Sequence, residues 1–408
     1  MLRHRAEVFK QIMVVIFVLI FRQMSKYKLS NASFHQRKSE WFHKYGSMPP
    51  DSISFRAMIR PLLFLSLFSL ANCRQPSAQP TTPTAPETTL RGAASFPVGA
   101  AISPSLLTSK PLYRQTLERE FSSITTENHL KMAQVHPEKD RYDWTGGNTI
   151  VDFANQTTKR MHGHALVWHQ SVPAWVTQFK GDSLAWEGLV RDHIQTVVRQ
   201  YKGKIAAWDV VNEAFLDDGT LRPSIWTEHL GPDFVARCFQ YARQADPTVK
   251  LFYNEYGQEY SAKKLAATLA MVADFRKRGI PIDGIGLQMH THINHPDAQI
   301  ENAIRQSAAT GLLVHISELD VRINQAKAAD FVPTDALWQR QKAKFAAIAT
   351  AYRTLVPAAQ QHGITTWNVS DADSWIPNFC KCNDFPLPFD KDFKKKPAYE
   401  GLLSGLKP

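Results

Sequence analysis

The chain reads as an α/β protein of the (β/α)8 barrel class, on three observations. Eight short apolar runs follow residue 94, longer amphipathic stretches separate them, and residues able to do chemistry gather where the runs end. Strand and helix in alternation imply a parallel sheet. Eight such units in residues 94–408 suit a closed barrel, where every strand's C-terminal end opens on one face.

The runs, in order, are 96–102 (FPVGAAI), 121–126 (FSSITT), 160–167 (RMHGHALV), 205–211 (IAAWDVV), 249–253 (VKLFY), 282–287 (IDGIGL), 312–317 (LLVHIS) and 364–369 (ITTWNV). Helical patterns such as 262–277 and 335–352 lie between them. Just beyond the runs stand Glu127 and Asn128, His164 to His169, Asn212 and Glu213, Asn254 and Glu255, Gln288 to His292, Glu318 to Asp320, and Asp371 to Trp375. One such cluster carries little meaning, whereas seven converging on one face define a site. An open, doubly wound sheet is the alternative, weakened because no Gly-rich phosphate turn follows the first run.

Composition narrows the function classes. Hydrophobic residues make up 44% and charged residues 21%, enough apolar matter for a large core. The 10 Trp offer flat apolar faces that suit sugar rings, although Trp also fills cores. The net charge of +11 is concentrated at the start: residues 1–60 hold 11 Lys/Arg and 3 Asp/Glu, a balance of +8 that leaves +3 for the rest. With no basic stripe on the domain, nucleic-acid binding is set aside. The four cysteines, Cys73, Cys238, Cys380 and Cys382, are too few for a disulfide framework. Cys380 and Cys382 stand one residue apart, and a bridge between them would pin the loop after the last run.

The first hundred residues have a separate organisation. Residues 12–21 form an apolar run, too short for the roughly 20 residues of a spanning helix. Residues 58–73 (MIRPLLFLSLFSLANC) have a basic start and an apolar stretch of signal-peptide length ending at Cys73. The segment resembles a bacterial lipoprotein signal, which implies a lipid-modified Cys73 and an exported, membrane-anchored protein. Asn72 departs from the smaller residue usual there, so an ordinary cleaved signal and an uncleaved anchor stay open. Residues 74–93, rich in Pro and Thr, read as an extended linker. Residues 1–57 show no globular pattern, and residues 94–408 form the barrel domain.

Glu213 closes the fourth run and Glu318 the seventh, so the topology sets them across the barrel mouth from each other. Two opposed carboxyls are what glycosidic cleavage needs: one protonates the leaving oxygen and the other attacks the anomeric carbon. Retention of configuration requires a separation of about 5–5.5 Å. A metal-dependent hydrolase is the chemical rival, because HGH (162–164) and HTH (290–292) each place two histidines on one strand face.

Several motifs then carry a family resemblance. GLLVHISELDV (311–321), AWDVVNEAF (207–215), HGHALVWH (162–169), IDGIGLQMH (282–290) and the Trp367/Trp375 pair flanking Asp371 resemble glycoside hydrolase family 10, the xylanase family, in order along the whole domain. The resemblance implies a retaining endo-β-1,4-xylanase with Glu213 as acid/base and Glu318 as nucleophile. It implies His290 and Asp320 in support of the nucleophile and Asn212 on the sugar 2-hydroxyl. Glu127, Asn128 and Lys131 would clamp the next sugar. His164, Trp168 and Gln288 would serve the cleavage point, Tyr256 would line the cleft, and Trp367 and Trp375 would form its wall and roof. The expected partner is xylan or a xylo-oligosaccharide, acted on by a monomer without metal or cofactor. A relative cutting another β-linked glycan, or a carbohydrate-binding barrel without activity, are the alternatives. His162, Asn148 and Asn368 depart from the family's common residues, which bears on substrate preference.

Overall fold

The computed structural model describes residues 88–408; Cys73, the apolar runs around it and residues 74–87 of the linker lie outside the described residues. Eight strands form the barrel: β1 (Val98–Ile102), β2 (Ser123–Thr126), β3 (Arg160–Gly163), β4 (Ala207–Asn212), β5 (Lys250–Glu255), β6 (Gly284–Leu287), β7 (Leu313–Arg322) and β8 (Gln361–Thr366). All pair in parallel with their chain neighbours, and β8 closes the ring through Ile364 opposite Val98 on β1. Every residue of β1, β2, β4 and β6 is buried. Strands buried on both faces read as continuous apolar runs rather than alternating ones, which is why the sequence pattern was so plain.

Where the observed strands differ from the runs, the difference serves the mouth. The third run breaks at Gly163 and resumes as Val167–Trp168, paired with the end of β4. β7 continues five residues past the expected end, to Arg322, and its extension pairs with His290–His292. Both short pieces carry site residues. Two glycines let side chains cross the interior: a Cβ on Gly163 would lie 2.3 Å from the Trp208 ring, and one on Gly286 would lie 2.1 Å from Asn254 Oδ1.

The helices match their sequence signals. Ala262–Arg278 starts where the Ser261 side chain accepts from the Lys264 amide and stops at left-handed Gly279. Asp335–Leu355 is capped by Thr334, whose side chain accepts from the Leu337 amide. One boundary needs correction. Leu90–Ala93 is a helix capped by Thr89, Leu90 is fully buried, and its amide donates to Glu120 Oε2 at 3.1 Å. These residues belong to the barrel domain and not to the linker, because the buried leucine packs against its core. No helix among the described residues is long and apolar enough to cross a membrane. The loop after β8 carries a disulfide between Cys380 and Cys382, while Cys238 is a free, buried thiol.

Candidate active site

The strand ends bring the two predicted glutamates to one mouth, joined by side-chain hydrogen bonds. Asn212 Nδ2 donates to Glu213 Oε1 (3.2 Å), Asn254 Nδ2 donates to Asn212 Oδ1 (2.9 Å), and the same Asn254 Nδ2 donates to Glu318 Oε1 (2.7 Å). Ser317 Oγ fixes Asn254 by donating to its Oδ1 at 2.6 Å. Gln288 Nε2 supports the bridge from above β6, donating to Glu213 Oε1 (3.0 Å) and Asn212 Oδ1 (3.2 Å).

Glu213 occupies an unusual backbone position. Its φ is +59°, a left-handed conformation that non-glycine residues seldom adopt. Two contacts hold it there: its amide donates to the Asn254 carbonyl (2.9 Å), and its carbonyl accepts from Arg222 Nε (2.9 Å). Trp168 Nε1 donates to Glu213 Oε2 at 2.9 Å, and His169 Nδ1 stands 3.9 Å from the same oxygen.

Glu318 sits deeper and among cations. His290 Nε2 lies 3.2 Å from its Oε2, and His290 Nδ1 lies 2.7 Å from Asp320 Oδ2. Burial alone would push the Glu318 carboxyl up. The hydrogen bond from His290 and the charges of His164, His290 and Lys131 outweigh it and hold the group below the usual carboxylate range. Burial likewise pushes the His290 imidazole down, but Asp320 and then Glu318 reverse this and raise it to about 10. His290 is therefore an imidazolium between two carboxylates, donating from both nitrogens.

The remaining predicted residues line this mouth. Lys131 is buried, donates from Nζ to Asn128 Oδ1 (2.9 Å), and lies over the rings of Trp168 (4.8 Å) and Trp367 (5.6 Å). Burial lowers its ammonium, opposed by Glu318, Glu127 and Glu213. Glu127 is half-buried and raised by desolvation, opposed by the nearby Asn368 amide and the charge of Lys131. Trp375 Nε1 donates to Asp320 Oδ2 (2.9 Å) and its ring packs on His290 at 4.9 Å. Trp367 meets the edge of His164 at 5.1 Å. Tyr256 is half-buried, its hydroxyl accepting from Arg222 (3.0 Å) with Lys264 over its ring.

Some partners escaped sequence reasoning. Asn254 touches both halves of the site, and Asp209 accepts from His164 Nδ1 and His162 Nε2, each at 2.9 Å. Arg222 holds the backbone of Glu213. Asn254 stood in a strand-end pair, the one available signal; Asp209 lay hidden within a strand. Asp371, between the two tryptophans, turns away from the cleft to pair with Lys396 at 2.7 Å. The histidines of the two His-x-His segments mostly have protein partners: His162 and His164 meet Asp209, and His290 meets Glu318 and Asp320.

A parallel barrel with opposed carboxylates at its C-terminal mouth, ringed by Trp and amide side chains, is a glycoside-hydrolase architecture. The chain belongs to glycosyl hydrolase family 10, whose model matches residues 89–404. It is 34% identical over 341 residues to endo-beta-1,4-xylanase Xyn10C of Cellvibrio japonicus, covering 76% of this chain and 56% of that protein. It is likewise 34% identical over 319 residues to an endo-1,4-beta-xylanase of Geobacillus stearothermophilus, covering 74% of this chain and 94% of the relative. The chain thus spans little more than half the length of the Cellvibrio relative. Among solved structures, xylanase 10B of Thermotoga petrophila RKU-1 in complex with xylobiose superposes with a TM-score of 0.74 at 32% identity, over 79% of this chain and 98% of that one. A mutant of xylanase 10C from Cellvibrio japonicus in complex with xylopentaose gives 0.75 at 33%, over 79% and 69%.

Proposed function

We propose that this chain is a retaining endo-β-1,4-xylanase, with Glu318 as nucleophile and Glu213 as acid/base. The observation that supports it best is the Glu213–Asn212–Asn254–Glu318 bridge, which ties both carboxylates to one neutral amide network while Glu318 alone also faces the His290 imidazolium. Glu318, kept ionised, attacks the anomeric carbon while Glu213 gives its proton to the departing glycosidic oxygen. The resulting glycosyl ester on Glu318 is then cleaved by a water that Glu213, now a carboxylate, deprotonates; Glu318 leaves as the carboxylate and Glu213 regains its proton. Asn212 is positioned for the 2-hydroxyl, and His164, Trp168 and Gln288 for the sugar at the cleavage point. Glu127, Asn128 and Lys131 would grip the next sugar, between Trp367 and Trp375.

The relatives named above act on or bind xylan fragments by their descriptions, which supports xylan as substrate here. Proton NMR of the first product from a xylo-oligosaccharide tests the reading. The β-anomer is expected; an initial α-anomer, or cleavage of cellulose but not xylan, would overturn it. We also propose that the mature chain begins at a lipid-bearing Cys73. Expression from Met58 in a Gram-negative host should give a membrane-fraction enzyme, and Cys73→Ser a soluble one of equal activity. A soluble wild type starting beyond Cys73 would refute the anchor.

A further inference from the structure

The chain turns sharply after β4, and the turn is held from β5. Three successive backbone amides find partners there: Glu213 N–H donates to the Asn254 carbonyl (2.9 Å), Ala214 N–H to the Tyr253 hydroxyl (3.0 Å) and Phe215 N–H to Glu255 Oε2 (3.1 Å). The Tyr253 hydroxyl gives its own proton to the same Glu255 oxygen at 2.7 Å, which leaves a lone pair for Ala214. Arg222 grips the carbonyls of the turn, donating from Nε to Glu213 and from Nη2 to Phe215, each at 2.9 Å.

Glu255 is the hub of these contacts. It is fully buried at the C-terminal end of β5. Its Oε1 accepts from the Tyr256 amide (3.1 Å) and stands 3.4 Å from Nζ of the equally buried Lys264. Four donors thus surround its two oxygens. Burial pushes the carboxyl up to about 7, opposed by Lys264 and then by the Tyr253 bond. A buried ion pair is a poor device for stability alone, because desolvating both charges offsets their attraction. Its effect here is local. It fixes the backbone around a residue whose φ of +59° is otherwise unfavourable.

We propose that Glu255 is a positioning residue for proton transfer: through the Phe215 amide and the Tyr253 hydroxyl it holds the turn that keeps Glu213 left-handed, and so aims the Glu213 carboxyl at the glycosidic oxygen. The inference rests on the acid/base reading of Glu213 above. Released from this hold, Glu213 moves toward the ordinary backbone regions, which swings its side chain away from Trp168, Asn212 and Gln288. Glu318, on β7, keeps Asn254 and His290. Loss of Glu255 therefore damages proton transfer and spares nucleophilic attack.

Two aryl β-xylobiosides test this. A phenol leaving group needs the proton of Glu213, whereas dinitrophenolate departs without it. Neither carries a sugar on the leaving side, so a shift of Tyr256, also bonded to Glu255, affects both alike. Glu255→Gln keeps the volume but sets an amide donor against one of the four donors. It should lower kcat/KM about 10–100-fold on the phenyl substrate and less than about threefold on the dinitrophenyl one. Its kcat on the dinitrophenyl substrate should also fall, because the ester on Glu318 awaits a water that Glu213 must deprotonate, and azide, which needs no base, should restore it. Tyr253→Phe removes only a hydroxyl and should show the same split more weakly; it carries the test if Glu255→Gln does not fold. Equal losses on both substrates, or no loss in a folded variant, would overturn the inference. Glu213→Ala is the reference. If it lacks the split, the acid/base reading falls and the inference with it; if it alone shows the split, only the inference falls.

Discussion

Asn254→Ala tests the bridge between the two glutamates. The substitution removes the 2.7 Å donor to Glu318 and the 2.9 Å donor to Asn212, and strands Ser317 Oγ. A hydrogen bond to a charged group contributes about 1.5–3 kcal/mol and a neutral one about 1 kcal/mol. If both are made fully in the transition state, the barrier rises by about 2.5–4 kcal/mol, a loss of roughly 10²–10³ in kcat/KM. The loss should appear in kcat, because the freed Asn212 and the less firmly placed Glu318 act on the reacting sugar, while KM for long xylo-oligosaccharides depends on contacts further along the cleft. Steady-state kinetics on xylohexaose, with circular dichroism to confirm folding, provide the readout. A loss under fivefold in a folded variant would refute the bridge as a catalytic support, and a pure KM effect would place Asn254 in substrate binding instead.

The other predictions follow from the same geometry. Glu318→Ala should abolish turnover, with azide restoring it and giving a product of inverted configuration; no rescue, or rescue with retention, counts against Glu318 as nucleophile. Lys131→Ala should weaken kcat/KM on xylotriose more than on xylohexaose, since a longer chain keeps other contacts; equal losses would deny it a single sugar. His290 also links stability to pH. Its folded-state pKa of about 10 lies above the ordinary imidazole value, so its stabilisation is complete below about 6.5 and is lost as pH rises through about 10. Melting temperature should therefore fall across that window, less steeply in His290→Gln, and an unchanged slope in the variant would remove His290 as the cause.

The barrel was legible in the chain because its strands are buried on both faces. A parallel strand packed inside a ring of helices has to be apolar throughout, so β1, β4 and β6 announce themselves as runs. The glutamates were legible for a related reason: Asn212-Glu213 and Glu318-Leu319-Asp320 interrupt those runs at their ends, where only a functional mouth tolerates a charge. Partners reached through space were not. Asp209 lies inside β4, where its neighbours Trp208 and Val210 make it look like one polar residue in a core strand. Only the fold shows that His162, on β3, and His164, just past its end, converge on its two oxygens. Asn254 is harder still, because its role depends on Gly286 having no Cβ to fill the space its amide occupies. The departure of His162 from the family's common residue shows how the two kinds of information combine. In the sequence it was an isolated irregularity bearing on substrate preference. In the barrel it has a buried carboxylate on one nitrogen and a second histidine on the other, so its substitution should be felt at the cleavage point through His164 rather than by any contact with the sugar.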